Sequence, residues 1–371
     1  MSDPTVLISG AGIAGPTLAY WLARNGFRPT VVERAQGLRS SGSPVDVRGP
    51  AFPVAEAMGV VPALREAATS VTTLTFINAA GRPVGRIPTR RSASREVEVP
   101  RNDLATILYQ AARDDAEFIF DDTITELNPD DTGVEATFER TAPRRFDLVI
   151  GADGLHSTTR RLAFGPEADF VRYMGVYIAT LSLGRPLPSP HEVLMFNTPG
   201  HAVALHPVRG IGGAAFMFRS PPVPDFNHRD LAQHKRLLQA AFGGAAWRLP
   251  ELRDLVRDAD DLYFDAVSQV RLPQWSRGRV ALLGDAASCV SLFGEGSSLA
   301  MTGAATLARA LGATPADPQA ALRRYEAEHR KLVAPKQRAV TLAAALLIPR
   351  TRASLAIRNA ATHLWPTPAP A

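Results

Sequence analysis

Thr5-Val6-Leu7-Ile8-Ser9-Gly10-Ala11-Gly12-Ile13-Ala14-Gly15 carries the reading of this chain. A strand-favouring run passes directly into a glycine turn, and helix-forming residues follow as far as Asn25, where Gly26 supplies a C-terminal stop. A second strand, Pro29 to Glu33, completes a βαβ opening. In that setting Gly10-x-Gly12-x-x-Gly15 reads as a dinucleotide fingerprint. Gly10 permits the tight turn, Gly12 lets a pyrophosphate approach the backbone, and Gly15 allows the helix to pack close to the strand. Ile13 and Ala14 begin the helix, whose free N–H groups and positive dipole end suit phosphate. Glu33 is placed to accept hydrogen bonds from an adenosine ribose. The fingerprint alone does not separate FAD from a nicotinamide dinucleotide.

Two further strand ends repeat the theme. Phe146 to Ile150 is apolar apart from Asp147 and runs into Gly151-Ala152-Asp153-Gly154. Val280 to Leu283 runs into Gly284-Asp285, followed by Gly294-Glu295-Gly296-Ser297-Ser298. A strand ending in Gly-Asp sets a carboxylate at a sheet edge, where it accepts from sugar or ribityl hydroxyls. A helix starting near Gly296 would aim its N–H groups at an electron-rich ring edge. Between these motifs lies a block of another texture. Tyr173 to Leu183, Glu192 to Phe196, Ala202 to Pro207 and Gly212 to Phe218 are strand-like with no helices between them. They read as a sheet inserted into the nucleotide-binding fold. Asn102 to Asp114 is a helix by its apolar spacing, and Phe118 to Asn128 with Val134 to Glu139 alternates as an antiparallel pair. Helices dominate from Gly296 onward.

Composition narrows the function classes. The 371 residues are 46% hydrophobic and 21% charged, with a net charge of +5 and a pI near 9.7. The densest basic patch is Arg82, Arg86, Arg90, Arg91 and Arg95, which argues for attraction of an anionic cofactor or substrate and against nucleic acid. One cysteine, Cys289, rules out a disulfide within the chain, and no leader pattern precedes the first strand, so a cytoplasmic location is expected. Ala339 to Pro349 is too short to span a membrane, and no stable insertion is expected. No His, Cys, Asp or Glu spacing suggests a metal.

The order of glycine fingerprint, Asp-Gly motif and Gly-Asp motif resembles the class A flavin monooxygenases, the para-hydroxybenzoate hydroxylase type, over nearly the whole chain. Within that family it is most similar to the tetracycline-inactivating and natural-product hydroxylating enzymes. The resemblance implies an α/β fold: a Rossmann-like FAD-binding domain of the glutathione-reductase type (1–70, 96–170 and 272–330), an inserted β-sheet substrate domain (71–95 and 171–271), and a C-terminal helical segment (331–371) closing the two. It implies bound FAD, NADPH or NADH as co-substrate, and O2. It further implies hydroxylation or epoxidation of a hydrophobic aromatic or polyketide-like molecule through a flavin C4a-hydroperoxide. A monomer or homodimer is expected.

Carried over by motif, Glu33-Arg34 resembles the adenosine-binding pair, and Asp46 in Pro44-Val45-Asp46-Val47-Arg48 an FAD-contacting aspartate. Arg101 resembles the arginine that meets FAD from a helix start, Asp285 the ribityl aspartate, and Asp153 a residue of pyrophosphate handling. Arg39 falls where relatives have an arginine proposed to meet NADPH. His201, His206, Phe216, Phe218, Leu292 and Phe293 are candidates to line the substrate pocket, although neither histidine is expected to be catalytic. His156 is expected to be a cap or a contact of the FAD domain. Ser288 stands where relatives usually have His, Leu292 stands near a proline position, and the loop to Gly294 is one residue short; these departures bear on the oxygen chemistry. A flavin dehydrogenase or oxidase, and a non-catalytic FAD-binding accessory protein, are the alternative readings.

Overall fold

A computed structural model describes residues 3–38, 43–89, 95–244, 246–290 and 295–362. Arg39, Arg90, Arg91, Leu292, Phe293 and Gly294 lie outside these described residues.

Thr5–Ser9 forms the centre of a six-stranded sheet because its side chains are apolar on both faces, as a parallel strand covered by helices requires. It pairs in parallel with Arg28–Glu33 on one side and Leu148–Gly151 on the other. Glu117–Phe120 extends the sheet beyond the former, and Val280–Leu282 beyond the latter. The short Ser276–Arg277 closes that edge in antiparallel fashion. All three glycine-bearing strand ends therefore emerge side by side at the same end of one sheet, which is where ligands of open α/β sheets bind.

A second sheet has seven strands, ordered Tyr263–Val270, Val171–Ser182, Ile211–Arg219, His201–Val208, Glu192–Thr198, Thr73–Ile77 and Pro83–Pro88. One face packs on Leu231–Ala241 and Leu249–Asp258 through Phe216, Phe218, Phe242 and Leu252. The other carries Met195, Ala202, Ala204, Ala215 and Met217. A ribbon of Val45–Arg48 with Glu96–Val99 and a meander of Ile124–Pro129, Val134–Phe138 and Arg144–Phe146 complete the strands seen among the described residues.

Three boundaries differ from the sequence reading. Phe118 to Asn128 is two strands in different sheets. The chain turns at Asp121, whose φ is +61°, and the Asp122 carboxylate then accepts from the N–H groups of Thr123, Arg140 and Thr141. Tyr263–Val270 is a strand that the sequence reading did not recognise. It carries buried Asp265, Ser268 and Gln269, so hydrophobic alternation fails there. At the C-terminus the helix Pro318–Leu347 runs unbroken past 331, with Pro335 inside it. No single helix among the described residues is long and apolar enough to cross a membrane.

Candidate FAD site and substrate cavity

Two of the fingerprint glycines are enforced by backbone contacts, and the third faces open space. Gly10 has φ +104°, and a Cβ there would lie 2.6 Å from the Ala152 carbonyl oxygen at the neighbouring strand end. A Cβ on Gly15 would collide with the Gly10 carbonyl oxygen. At Gly12 an added Cβ would meet nothing within 4 Å, because it faces a cavity. Two glycines thus serve the packing of the turn, and the third leaves backbone open to a ligand. Glu33 pins the loop: its carboxylate accepts from the N–H of Ala11 (2.8 Å) and of Ala35 (2.9 Å).

The Asp-Gly turn is organised by its aspartate. Asp153 accepts from Ser9 Oγ, Ser157 Oγ and both the N–H and Oγ1 of Thr159. Ser157 in turn caps the helix Thr158–Ala163 by accepting from the Arg160 N–H at 2.9 Å. Arg160 is fully buried and donates to the carbonyls of Ala286 (3.1 Å) and Leu155 (2.6 Å), so it ties the Asp-Gly turn to the Gly-Asp turn. No role for Arg160 follows from the sequence motifs. No local signal separates it from its neighbour Arg161 in the helix Thr158–Ala163, since only packing shows which of the two is buried.

Gly284 has φ +62°, with little room between Ala14 and Ala300, and Asp285 follows it into the cavity. Burial raises the Asp285 pKa, and the Arg101 guanidinium opposes that shift. Around a cavity of about 250 Å3 the structure gathers Gly10, Gly12, Ile13, Ala14, Glu33, Arg34, Arg101, Asp153, Asp285, Gly296 and Ser297. These residues come from six separated stretches of sequence. Gly15 and Gly284 pack behind it.

Asp46, Arg48, Glu295 and Ser298 form an adjoining network. Arg48 meets Glu295 at 2.7 Å, Glu96 at 3.5 Å and Asp46 at 3.8 Å. Ser298 Oγ donates to the Asp46 carbonyl and accepts from the Arg48 N–H. Burial, opposed by Arg48, raises Asp46 to about 6. The ribbon is thereby fastened to the start of the helix Glu295–Ala313.

His156 also reaches the cavity, but Ser157, not His156, is the helix cap. Its Nδ1 lies 3.0 Å from Glu167 and its Nε2 3.2 Å from Asp265, and its ring stacks on His228 with centroids 3.8 Å apart. Burial alone would lower its pKa, but the hydrogen bonds its ring donates to the Asp265 and Glu167 carboxylates raise it to about 9. Burial and the adjacent His156 cation lower His228 to about 4. Because Asp265 belongs to the seven-stranded sheet, this cation joins the two sheets at the cavity rim.

A second cavity, of about 510 Å3, lies between the seven-stranded sheet and the turn before Arg101–Ala112. Arg101 lines the first cavity, while Pro100, Asn102 and Asp103 line the second, so the two meet at one helix start. Thr180 pairs with Ala215 and Tyr263, and Ser182 pairs with Gly213, which pairs with His206. The sheet face here is consequently small-chained, with His206 and Tyr263 at its sides. His206 Nε2 stands 3.2 Å from Glu98. Asn102 Oδ1 is buried without a hydrogen-bond partner. At the rim Arg209, in a left-handed turn (φ +43°), reaches Asp103 at 3.0 Å.

Of the pocket candidates among the described residues, only His206 lines this cavity. Phe216, Phe218 and His201 belong to the opposite face, where Phe216 and His201 pack edge-on against Phe242 at 5.2 and 5.5 Å. Strand parity separates them: one residue's shift along a strand moves a side chain to the other face.

The fold and cavities define an FAD-type α/β protein with an inserted sheet. The family described as FAD binding domain matches residues 3–339. A flavin-dependent monooxygenase of an unknown prokaryotic organism is 38% identical, covering 86% of this chain and 84% of its own length. A flavin-dependent monooxygenase of Legionella longbeachae is 32% identical, covering 90% and 87%. Among solved structures, the tetracycline destructase Tet(55) superposes with a TM-score of 0.85 at 34% identity over 99% of both chains. Tet(51) superposes at 0.86 and 32%, over 98% of this chain and 96% of its own. The chain belongs to the FAD binding domain family, among the class A flavoprotein monooxygenases.

Proposed function

We propose that this protein uses NAD(P)H and O2 to insert one oxygen atom into a hydrophobic, aromatic or polycyclic small molecule, with water as the second product. The observation that carries this reading is the junction at Pro100–Asp103, where a dinucleotide-type cavity and a sheet-floored cavity meet. FAD fits the first cavity chemically: open backbone at Gly12, Glu33 and Asp285 carboxylates for hydroxyl groups, and Arg34 and Arg101 for negative charge. Bound there, FAD supplies the redox chemistry that activates oxygen.

The chain's own residues bind, orient and exclude water. Asp285, on a backbone fixed by Gly284, holds the cofactor chain, while Arg101 at the helix start separates the two cavities. Thr180, Ala215 and Gly213 give a smooth floor on which a planar ring system lies flat, and His206 and Tyr263 bound it laterally. Asn102 Oδ1 offers an unused acceptor for a hydroxyl or amide of the substrate. The likeness to tetracycline destructases supports a linear polycycle as substrate, and a role in natural-product or antibiotic modification. Arg39 is proposed to meet the nicotinamide donor, and the enzyme is proposed to act in the cytoplasm.

The test is anaerobic addition of NADPH or NADH to FAD-loaded protein with a panel of tetracyclines and polycyclic phenols. Bleaching of the flavin band, followed on aeration by 18O incorporation from 18O2, is the expected result. Reduction by the organic substrate without NAD(P)H would instead mean a dehydrogenase or oxidase, and FAD that nothing reduces would mean an accessory protein. The Asp285→Ala variant should weaken FAD binding by about tenfold to a hundredfold, as loss of a charged hydrogen bond does.

A further inference from the structure

From His329 to Ala371 the chain contains no Asp or Glu, while Arg330, Lys331, Lys336, Arg338, Arg350, Arg352 and Arg358 are all basic. Among the described residues, the same region holds four of the five large hydrophobic side chains left exposed: Leu332, Leu342 (65%), Leu346 (54%) and Ile357 (70%). Scattered exposed leucines mean little, but clustered ones beside unpaired cations need a partner.

The geometry makes this a presented surface. The helices Pro318–Leu347 and Arg352–Thr362 meet at 97°. Their inner sides are fixed to the seven-stranded sheet. Arg219 donates to the carbonyls of Ala344 (2.7 Å) and Ile348 (2.8 Å), and Arg358 lies over the Phe76 ring and donates to Asn197 at 3.0 Å. Arg358 also reaches the Leu346 carbonyl, at 3.5 Å, bringing the two helices to one corner. With the inner sides so held, Arg338, Leu342 and Leu346 project outward, spaced four apart along one helix face, and Ile357 projects from the next helix. Among the described residues Arg338, Arg350 and Arg352 have no carboxylate within 4 Å, although ion pairs are frequent elsewhere on the surface.

We infer that this corner docks on an anionic lipid surface, with Leu342, Leu346 and Ile357 entering the headgroup boundary and Arg338, Arg350 and Arg352 meeting lipid phosphates. An acid-free, cationic and apolar helix face matches such a surface on both counts. A second copy matches less well, because it would bring two positively charged segments together. Docking would bring the substrate sheet near a phase in which a hydrophobic substrate concentrates. The inference rests on the helices alone and stands whichever substrate is turned over.

The experiment is co-sedimentation of the FAD-loaded full chain with vesicles of phosphatidylcholine alone or mixed with phosphatidylglycerol. Binding to the mixed vesicles, weakened by salt, is expected, with none to phosphatidylcholine. Replacing Arg338, Arg350 and Arg352 by Gln should weaken binding roughly a hundredfold, and Leu342→Glu with Leu346→Glu should abolish it. The flavin spectrum and melting temperature of both variants serve as controls for folding. Absence of binding to anionic vesicles, or equal binding by both variants, overturns the proposal. So does a wild-type dimer that Leu342→Glu converts to monomer, which would assign the face to a second copy.

Discussion

The two sheets of this protein are built from similar residues yet expose their functional parts differently. In the parallel sheet the first cavity is made by strand ends: Gly10, Gly151 and Gly284 terminate adjacent strands, and Asp153 and Asp285 follow the latter two. There, function depends on backbone that only particular residues allow. In the seven-stranded sheet the second cavity is made by a strand face, and function depends on which of two alternating side-chain sets points inward. Ala215 and Phe216 are neighbours in sequence, but one floors the cavity and the other fills the core behind it. A site at strand ends is written as motif; a site on a strand face is written only as parity.

The sharpest break of this contrast is at Gly15. Gly15→Val should destabilise by more than about 4 kcal/mol through collision with the Gly10 carbonyl. It should also yield protein without a flavin absorbance band. A yellow, soluble Gly15→Val protein would mean that the turn does not depend on this backbone contact.

The next test separates the faces of the second sheet. Phe216 is 1% exposed, and Phe216→Ala should lower stability by about 3–5 kcal/mol while FAD still binds. Ala215→Phe should fill the cavity and suppress turnover with a smaller loss of stability, about 1–3 kcal/mol. Thermal melts and oxygen-insertion assays on both variants check this; the reverse pattern would show that the faces have been exchanged.

The smallest effect probes the seam between the sheets. His156, held near 9, is protonated more in the folded than in the unfolded chain between pH 6.5 and 9. Its stabilisation is therefore complete below 6.5 and disappears as pH rises towards 9. Discounted for its partial solvent contact, it amounts to about 1–2 kcal/mol. His228, held near 4, acts oppositely and loses stability as pH falls from 6.5 to 4. Urea midpoints for the wild type should fall between pH 6.5 and 9, and those of His156→Gln should stay flatter. Parallel curves would show that no imidazolium is held between Glu167 and Asp265.

The sequence by itself determined the βαβ opening, the order of the three strand-end motifs and, among the residues lining the first cavity, Gly10, Gly12, Glu33, Asp153 and Asp285. Each is fixed within a few residues, by a glycine that must turn or a carboxylate that must follow it. The two-sheet organisation was legible from the change in texture between Val171 and Arg219. The tertiary structure alone decided the rest. It assigned His206 to the cavity and His201 to the back of the sheet, and it joined His156 to Asp265 across 109 residues through a strand whose buried polar side chains hide its alternation. It set Arg160 between two turns and left the C-terminal leucines uncovered. These are long-range choices, made by register and by the packing of one element on another, and no local pattern of residues encodes them.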